Sequence, residues 1–281
     1  MTLSAGILVI ELVAGIASHS LALLADAGHV FADVSGMTLS LAAIWIANRP
    51  ASGNRSYGWY RLEILAATLN AILLIFVSAA VIWEGAHRLV EPADVATNLM
   101  IAVALVALVA NLGSLWTLSP GQAESLTMRA AYLEVLGDSV GAATVLVAGL
   151  AIALIGFSGA DGLAAIVIGL LILPRTWRLL RDSLDVLMEA TPKGISLDEV
   201  RRHMLETAGV EAVHDLHAWT ITSGMNVVSA HIVIRPDANP GALLDHLGEC
   251  LAGDFDIDHS TFQLETPDHV LWEGRASQTL R

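Results

Sequence analysis

The tightest constraint on this fold is a succession of long apolar runs, each closed by turn residues, filling residues 2–182. They cover residues 3–17, 20–47, 61–85, 95–118, 128–157 and 161–180. A helix crossing the hydrocarbon core of a bilayer needs about 20 residues. In lipid, only helices and closed barrels satisfy all of their backbone polar groups. Six runs therefore predict about six transmembrane helices. Asn48, Arg49 and Pro50 end the second run, residues 53–56 read as a loop, and Ser119, Pro120 and Gly121 end the fourth. Pro174, near the end of the sixth, predicts a kink. The first run is short. Either it does not fully span, or the chain beginning at Met1 lacks an N-terminal turn or two; the second reading is preferred.

Composition narrows the class. Of 281 residues, 55% are hydrophobic and only 15% charged, which excludes an ordinary soluble domain. The net charge of −14 argues against nucleic acid as a partner. Cys250 is the single cysteine, so no internal disulfide can form and any metal site must use His and carboxylate. The first run lacks a basic leader, so no cleavable signal peptide is expected. Arg49, Arg55 and Arg61 follow the second run, Arg129 precedes the fifth, and Arg175, Arg178 and Arg181 are placed after the sixth. The opposite loops carry Arg88, diluted by Glu91 and Asp94. The positive-inside rule then predicts a multi-pass protein of the inner (plasma) membrane with both termini cytoplasmic.

From residue 189 the composition becomes that of a soluble domain. Ser196 with Glu199 reads as a capping box opening a helix to about residue 208. Residues 213–221 and 226–234 read as strands joined by a turn at 222–225. Asn239 and Pro240 open a second helix to about residue 252, and residues 260–265 alternate as a third strand. The fold class is thus an α-helical membrane domain of six helices (residues 1–188) plus a small cytoplasmic α+β domain of order αββαβ (189–273), with a tail at 274–281.

Two pairs of ionisable residues stand inside the apolar runs: His29 with Asp33, and Glu134 with Asp138. Residues i and i+4 share one helix face, about 6 Å apart along the axis. Two such helices side by side would offer four ligands, as a tetrahedral divalent cation needs. Ionisable residues in a membrane are costly and usually functional. Clustered carboxylates repel unless a cation or protons neutralise them. Asp26 reads as structural, and Asn70, Asn111 and Glu63 are weaker candidates, Asn being the commoner interhelical glue. His19 and Glu11 are assigned to helix ends facing water. In the soluble part, His231 points away from the core, and His214 or His217 could meet it across the hairpin. A peripheral metal site of His214, His231 and Glu265 and a scatter of surface histidines on an acidic domain are both open.

The chain resembles the cation diffusion facilitator family, close to its bacterial zinc/cobalt/cadmium efflux branch. The resemblance covers nearly the whole chain. It rests on SLALLADAGHVFADV (20–34), SYGWYRLEILAATLNAILL (56–74), VLGDSVGA (135–142), LMEATP (187–192) and VHDLHAWTITSG (213–224). It implies a homodimer with six membrane helices per protomer and a metallochaperone-like cytoplasmic domain. It implies cation export by proton antiport, with His29, Asp33, Glu134 and Asp138 in the positions of the transport site. Zinc-selective members usually carry His where this chain has Glu134. Zinc accepts a Glu oxygen, but one nitrogen with three carboxylates is a harder site, which moves preference toward manganese or iron(II). The loop after the second helix lacks the His/Asp ligands of some relatives, and no histidine-rich tract lies between the fourth and fifth; no metal site is expected in either.

The expected function is proton-coupled efflux of a divalent cation, Zn2+ first and Mn2+, Fe2+, Co2+ or Cd2+ after it, by alternating access around the intramembrane site. No prosthetic group is expected. The rival is a non-transporting metal sensor or structural subunit, against which the intact quartet argues. An intramembrane metalloprotease would want an HExxH-type motif, which is absent, so no enzyme is expected.

Overall fold

A computed structural model of the chain describes residues 2–47, 54–123 and 125–269. The sequence-based readings at residues 48–50, at Gly53 and for the tail at 274–281 lie outside them. Six long helices come first: α1 (Thr2–Ser18), α2 (Leu21–Ala47), α3 (Arg61–Val90), α4 (Thr97–Leu118), α5 (Leu126–Ile155) and α6 (Ala160–Leu187). A 3-10 turn, Ser119–Ala123, follows α4 where Pro120 and Gly121 were expected to stop it. Four segments among the described residues are long and apolar enough to cross a membrane: Arg61–Val90, Thr97–Gln122, Met128–Ile155 and Ala160–Leu187. Ala5–Ser18 is a shorter apolar helix, and α2 has 27 residues, a length of about 40 Å.

Two helices outrun their apolar stretches. α3 continues past residue 85 to Val90, and α6 continues past residue 180, through Pro174, to Leu187. Hydropathy marks where the environment changes, whereas the backbone hydrogen bonds of a helix carry on into a polar turn. The chain forms two compact units, residues 1–42 with 66–180 and residues 43–65 with 181–281.

The core of the first unit is dominated by alanine: Ala22, Ala25, Ala32, Ala104, Ala148, Ala164 and Ala165 are buried with Leu23, Met100, Val145 and Ile168. Small residues let membrane helices approach closely. A Cβ at Gly85 of α3 would lie 2.7 Å from the backbone oxygen of Gly162 on α6, so this crossing tolerates no side chain. Bulky residues such as Phe76, Trp83, Trp116 and Leu154 are exposed, as suits a surface facing lipid tails.

The start of α2 is held by a carboxylate from α6. Asp161, 1% exposed, accepts from Ser20 Oγ (2.6 Å), Leu21 N (2.8 Å), Ala22 N (3.1 Å) and Arg88 Nη1 (3.1 Å). It satisfies the orphan N–H groups of the first turn and puts a negative charge at the positive end of the helix. Arg88 also donates to His19 O at 2.7 Å and to Glu84 Oε1 at 3.1 Å.

In the second unit, α7 (Leu197–Glu206) is capped by Ser196, whose Oγ accepts from Glu199 N at 3.4 Å. Strands β1 (Val210–Thr222), β2 (Met225–Ile234) and β3 (His259–Glu265) form one sheet in that order. β1 and β2 pair antiparallel across a turn in which Gly224 takes φ 74°, and β2 and β3 pair parallel. The parallel pair needs a crossover, which α8 (Pro240–Phe255) supplies. Asn239 caps it, Oδ1 accepting from Gly241 N (3.1 Å) and Ala242 N (3.2 Å). The αββαβ order is as the sequence implied, with α8 three residues longer than expected. Val200 and Met204 of α7, Leu243, Leu247 and Leu251 of α8, and Val213, Val228, Ala230 and Ile232 of the sheet form the core.

Candidate metal centres

Three of the four intramembrane candidates meet. His29 Nε2 lies 3.5 Å from Asp33 Oδ2, one turn on along α2, and 3.3 Å from Asp138 Oδ1 on α5. One ligand atom from each residue lies within 4.8 Å of the others. A tetrahedral ion with bonds of about 2.0–2.1 Å has ligand–ligand edges of roughly 3.3 Å. The two His29 separations are close to that edge. The α2–α5 approach depends on Gly141, where a Cβ would fall 2.7 Å from Asp26 Oδ1. Beside the trio, Asp26, His29, Gly137, Gly141, Ile172 and Arg175 are among the residues lining a cavity.

Glu134 does not join this cluster. Its Oε1 accepts from Arg175 Nη2 of α6 at 3.0 Å. The sequence marks Arg175 only as one of the basic residues after the sixth run. It lies within α6, because the helix continues to Leu187. The signal that could have found it was its place inside an apolar run, where a lone charge needs a partner.

Glu11 also departs from expectation. It is not at a wet helix end but in mid-α1, 2% exposed. The reason is packing: α1 is apolar on all sides, and the turn that carries its one carboxyl is covered inside the unit rather than by water. His19 is exposed, with φ 56°. Asn70 Nδ2 donates to Ala32 O at 3.2 Å, tying α3 to α2 as interhelical glue. Glu63 accepts from Thr222 Oγ1 (2.5 Å) and Ser223 Oγ (3.0 Å) at the β1 end.

The second unit brings together the other candidates. His214 and His231 face each other across the hairpin, ring centroids 5.1 Å apart. Glu265, at the end of β3, reaches His214 Nε2 with Oε2 at 3.0 Å and His231 Nδ1 with Oε1 at 2.7 Å. One ligand atom from each of the three also lies within 4.8 Å of the others. Asp215 takes φ 49° where the β1 register shifts between His214 and His217. That bulge turns His214 toward His231 and sends His217 out to Asp215 Oδ1 at 3.0 Å. Burial of Glu265 opposes its ionisation, but hydrogen bonds from His214 and Gln263 and the charge of the two histidines outweigh it and hold its carboxyl below the ordinary range. The hydrogen bond from His217 lowers Asp215 likewise.

A helical membrane unit with an inward-facing His/Asp cluster, carrying a small α+β domain, is the architecture of a membrane cation transporter. Residues 1–188 match the cation efflux transmembrane domain and residues 192–267 match the cytoplasmic domain of cation efflux proteins. The chain belongs to the cation efflux family; it is a transporter and not an enzyme. It is 42% identical over 266 residues to the metal cation efflux system protein CzcD of Cupriavidus metallidurans, covering 94% of this chain and 84% of that one. It is 37% identical over 278 residues to the zinc transporter ZitB of Escherichia coli (strain K12), covering 96% and 88%. Identity to the cadmium, cobalt and zinc/H(+)-K(+) antiporter of Bacillus subtilis (strain 168) is 35% over 276 residues, covering 94% and 86%.

Proposed function

We propose that this chain exports divalent cations, zinc by preference, from the cytoplasm in exchange for protons. It does so as a homodimer in the inner membrane with both termini cytoplasmic. The observation that carries the reading is the His29–Asp33–Asp138 cluster, whose separations suit a small tetrahedral ion. The names of the relatives support zinc, and the Bacillus antiporter supports proton exchange. The match to the family's cytoplasmic domain supports the placement of the C-terminus and a dimer.

Facing the cytoplasm, the ligands give up protons and take the cation, since a ligand lone pair cannot hold both. Facing outward, incoming protons reclaim those lone pairs and release it. Glu134 is one turn before Asp138 on α5 and is the candidate fourth ligand. Its oxygen in place of a nitrogen keeps a manganese or iron(II) preference as the second reading. His214, His231 and Glu265 form a second, peripheral cation site on the soluble domain.

Inverted membrane vesicles loaded with radioactive zinc under an imposed pH gradient test the transport site. Asp33→Ala and Asp138→Ala should each abolish uptake while the protein still reaches the membrane. Unchanged uptake in both variants overturns the assignment.

A further inference from the structure

The sequence places Glu134 beside Asp138, yet the structure gives it to Arg175. We propose that Arg175 is a tethered cation that holds Glu134 when the transport site is empty and yields it to the arriving metal. The inference rests on the transport-site reading above and adds a residue that sets how tightly the cargo is held.

Three observations carry it. The first is the pair itself, Arg175 Nη2 to Glu134 Oε1 at 3.0 Å, with Arg175 and His29 lining one cavity. The second is charge. Three carboxyl groups, of Asp33, Asp138 and Glu134, belong to the proposed site, and the guanidinium of Arg175 opposes one of them. A guanidinium does not deprotonate at working pH, so this contribution stays fixed while the others titrate. The third is freedom to leave. The Arg175 side chain is 52% exposed and that of Glu134 37% exposed, so packing does not lock the pair in place. The residue before it is Pro174, which has no N–H for the α6 ladder, so this turn of the helix is one hydrogen bond short.

A cation entering the trio repels Arg175 and attracts Glu134. Drawing the Glu134 carboxylate into the trio moves it away from Arg175, so the pair breaks as the fourth ligand closes. Arg175 thereby weakens binding and hastens release, which an exporter needs as much as it needs capture. Arg175 is a positioning residue: it acts on the cargo through Glu134.

The test titrates purified full-length protein in detergent with Zn2+ against a zinc-chelating dye, in a His214→Ala/His231→Ala background that silences the peripheral site. Arg175→Gln should tighten zinc binding, Kd falling about two- to fivefold, as expected for loss of a half-exposed ion pair. Arg175→Lys, which keeps the charge but loses the planar fork, should fall between. Glu134→Gln should weaken binding, and adding Arg175→Gln to it should change nothing further. A purely structural Arg175 would move affinity the other way, so the sign of the change decides. Equal or weaker binding in both Arg175 variants overturns the inference. Asp33→Ala/Asp138→Ala is the separate control: if it still binds zinc with wild-type affinity, the transport-site reading itself has failed.

Discussion

Replacing Asp161 by Asn is nearly isosteric, yet it should be among the most damaging single changes in the membrane unit. The carboxylate accepts four hydrogen bonds, Oδ1 from Ser20 Oγ and Ala22 N and Oδ2 from Leu21 N and Arg88 Nη1. An amide has one acceptor oxygen. Whichever way it turns, its NH2 group confronts a backbone N–H of the first turn of α2, and Arg88 loses its buried counter-charge. Removing one partner of a buried pair costs about 3–5 kcal/mol. Part of that is the anion lost from the helix N-terminus, up to about 2 kcal/mol in a partly buried setting. For a unit of this size the midpoint of thermal unfolding should fall on the order of 10 °C. Tryptophan fluorescence or circular dichroism of the protein in detergent micelles reads it. His29 lies eight residues beyond Leu21, roughly 12 Å along α2, so the loosened helix should also bind cation less well. A melting midpoint within about 2 °C of wild type would refute the argument, because it would mean that the clamp contributes nothing net.

Gly141→Ala puts a methyl group 2.7 Å from Asp26 Oδ1; it should part α2 from α5, cost about 1–3 kcal/mol and reduce vesicle uptake, and wild-type uptake would contradict the close approach. Glu265 is held below its ordinary pKa of 4.5 in the folded protein, so it contributes stability above that pH that is lost as pH falls through the folded value. Denaturant melts of the full chain should therefore show the second unit weakening below pH 4.5, and Glu265→Gln should flatten that dependence.

Much of this molecule can be read along the chain. The apolar runs dictate helices because lipid offers the backbone no other partner. The i,i+4 spacing of His29 with Asp33 ensures that the two share a face whatever surrounds them. The αββαβ order follows from the capping residues Ser196 and Asn239, the glycine turn at Gly224 and period-two alternation. The β1 bulge at Asp215 could not be read, so whether His214 or His217 met His231 stayed open. Only pairing across the sheet resolves a register shift.

The remaining features belong to the tertiary structure, and all have one physical cause. Glu11 is buried rather than wet because the helices around α1 close over its turn. Asp161 caps a helix to which it is not joined in sequence. Glu134 turns to Arg175 rather than to the trio because α6 brings a guanidinium within 3.0 Å of its carboxylate. Local pattern determines which face a side chain occupies, but a buried charge is governed by what stands opposite, and that is set only when the helices pack.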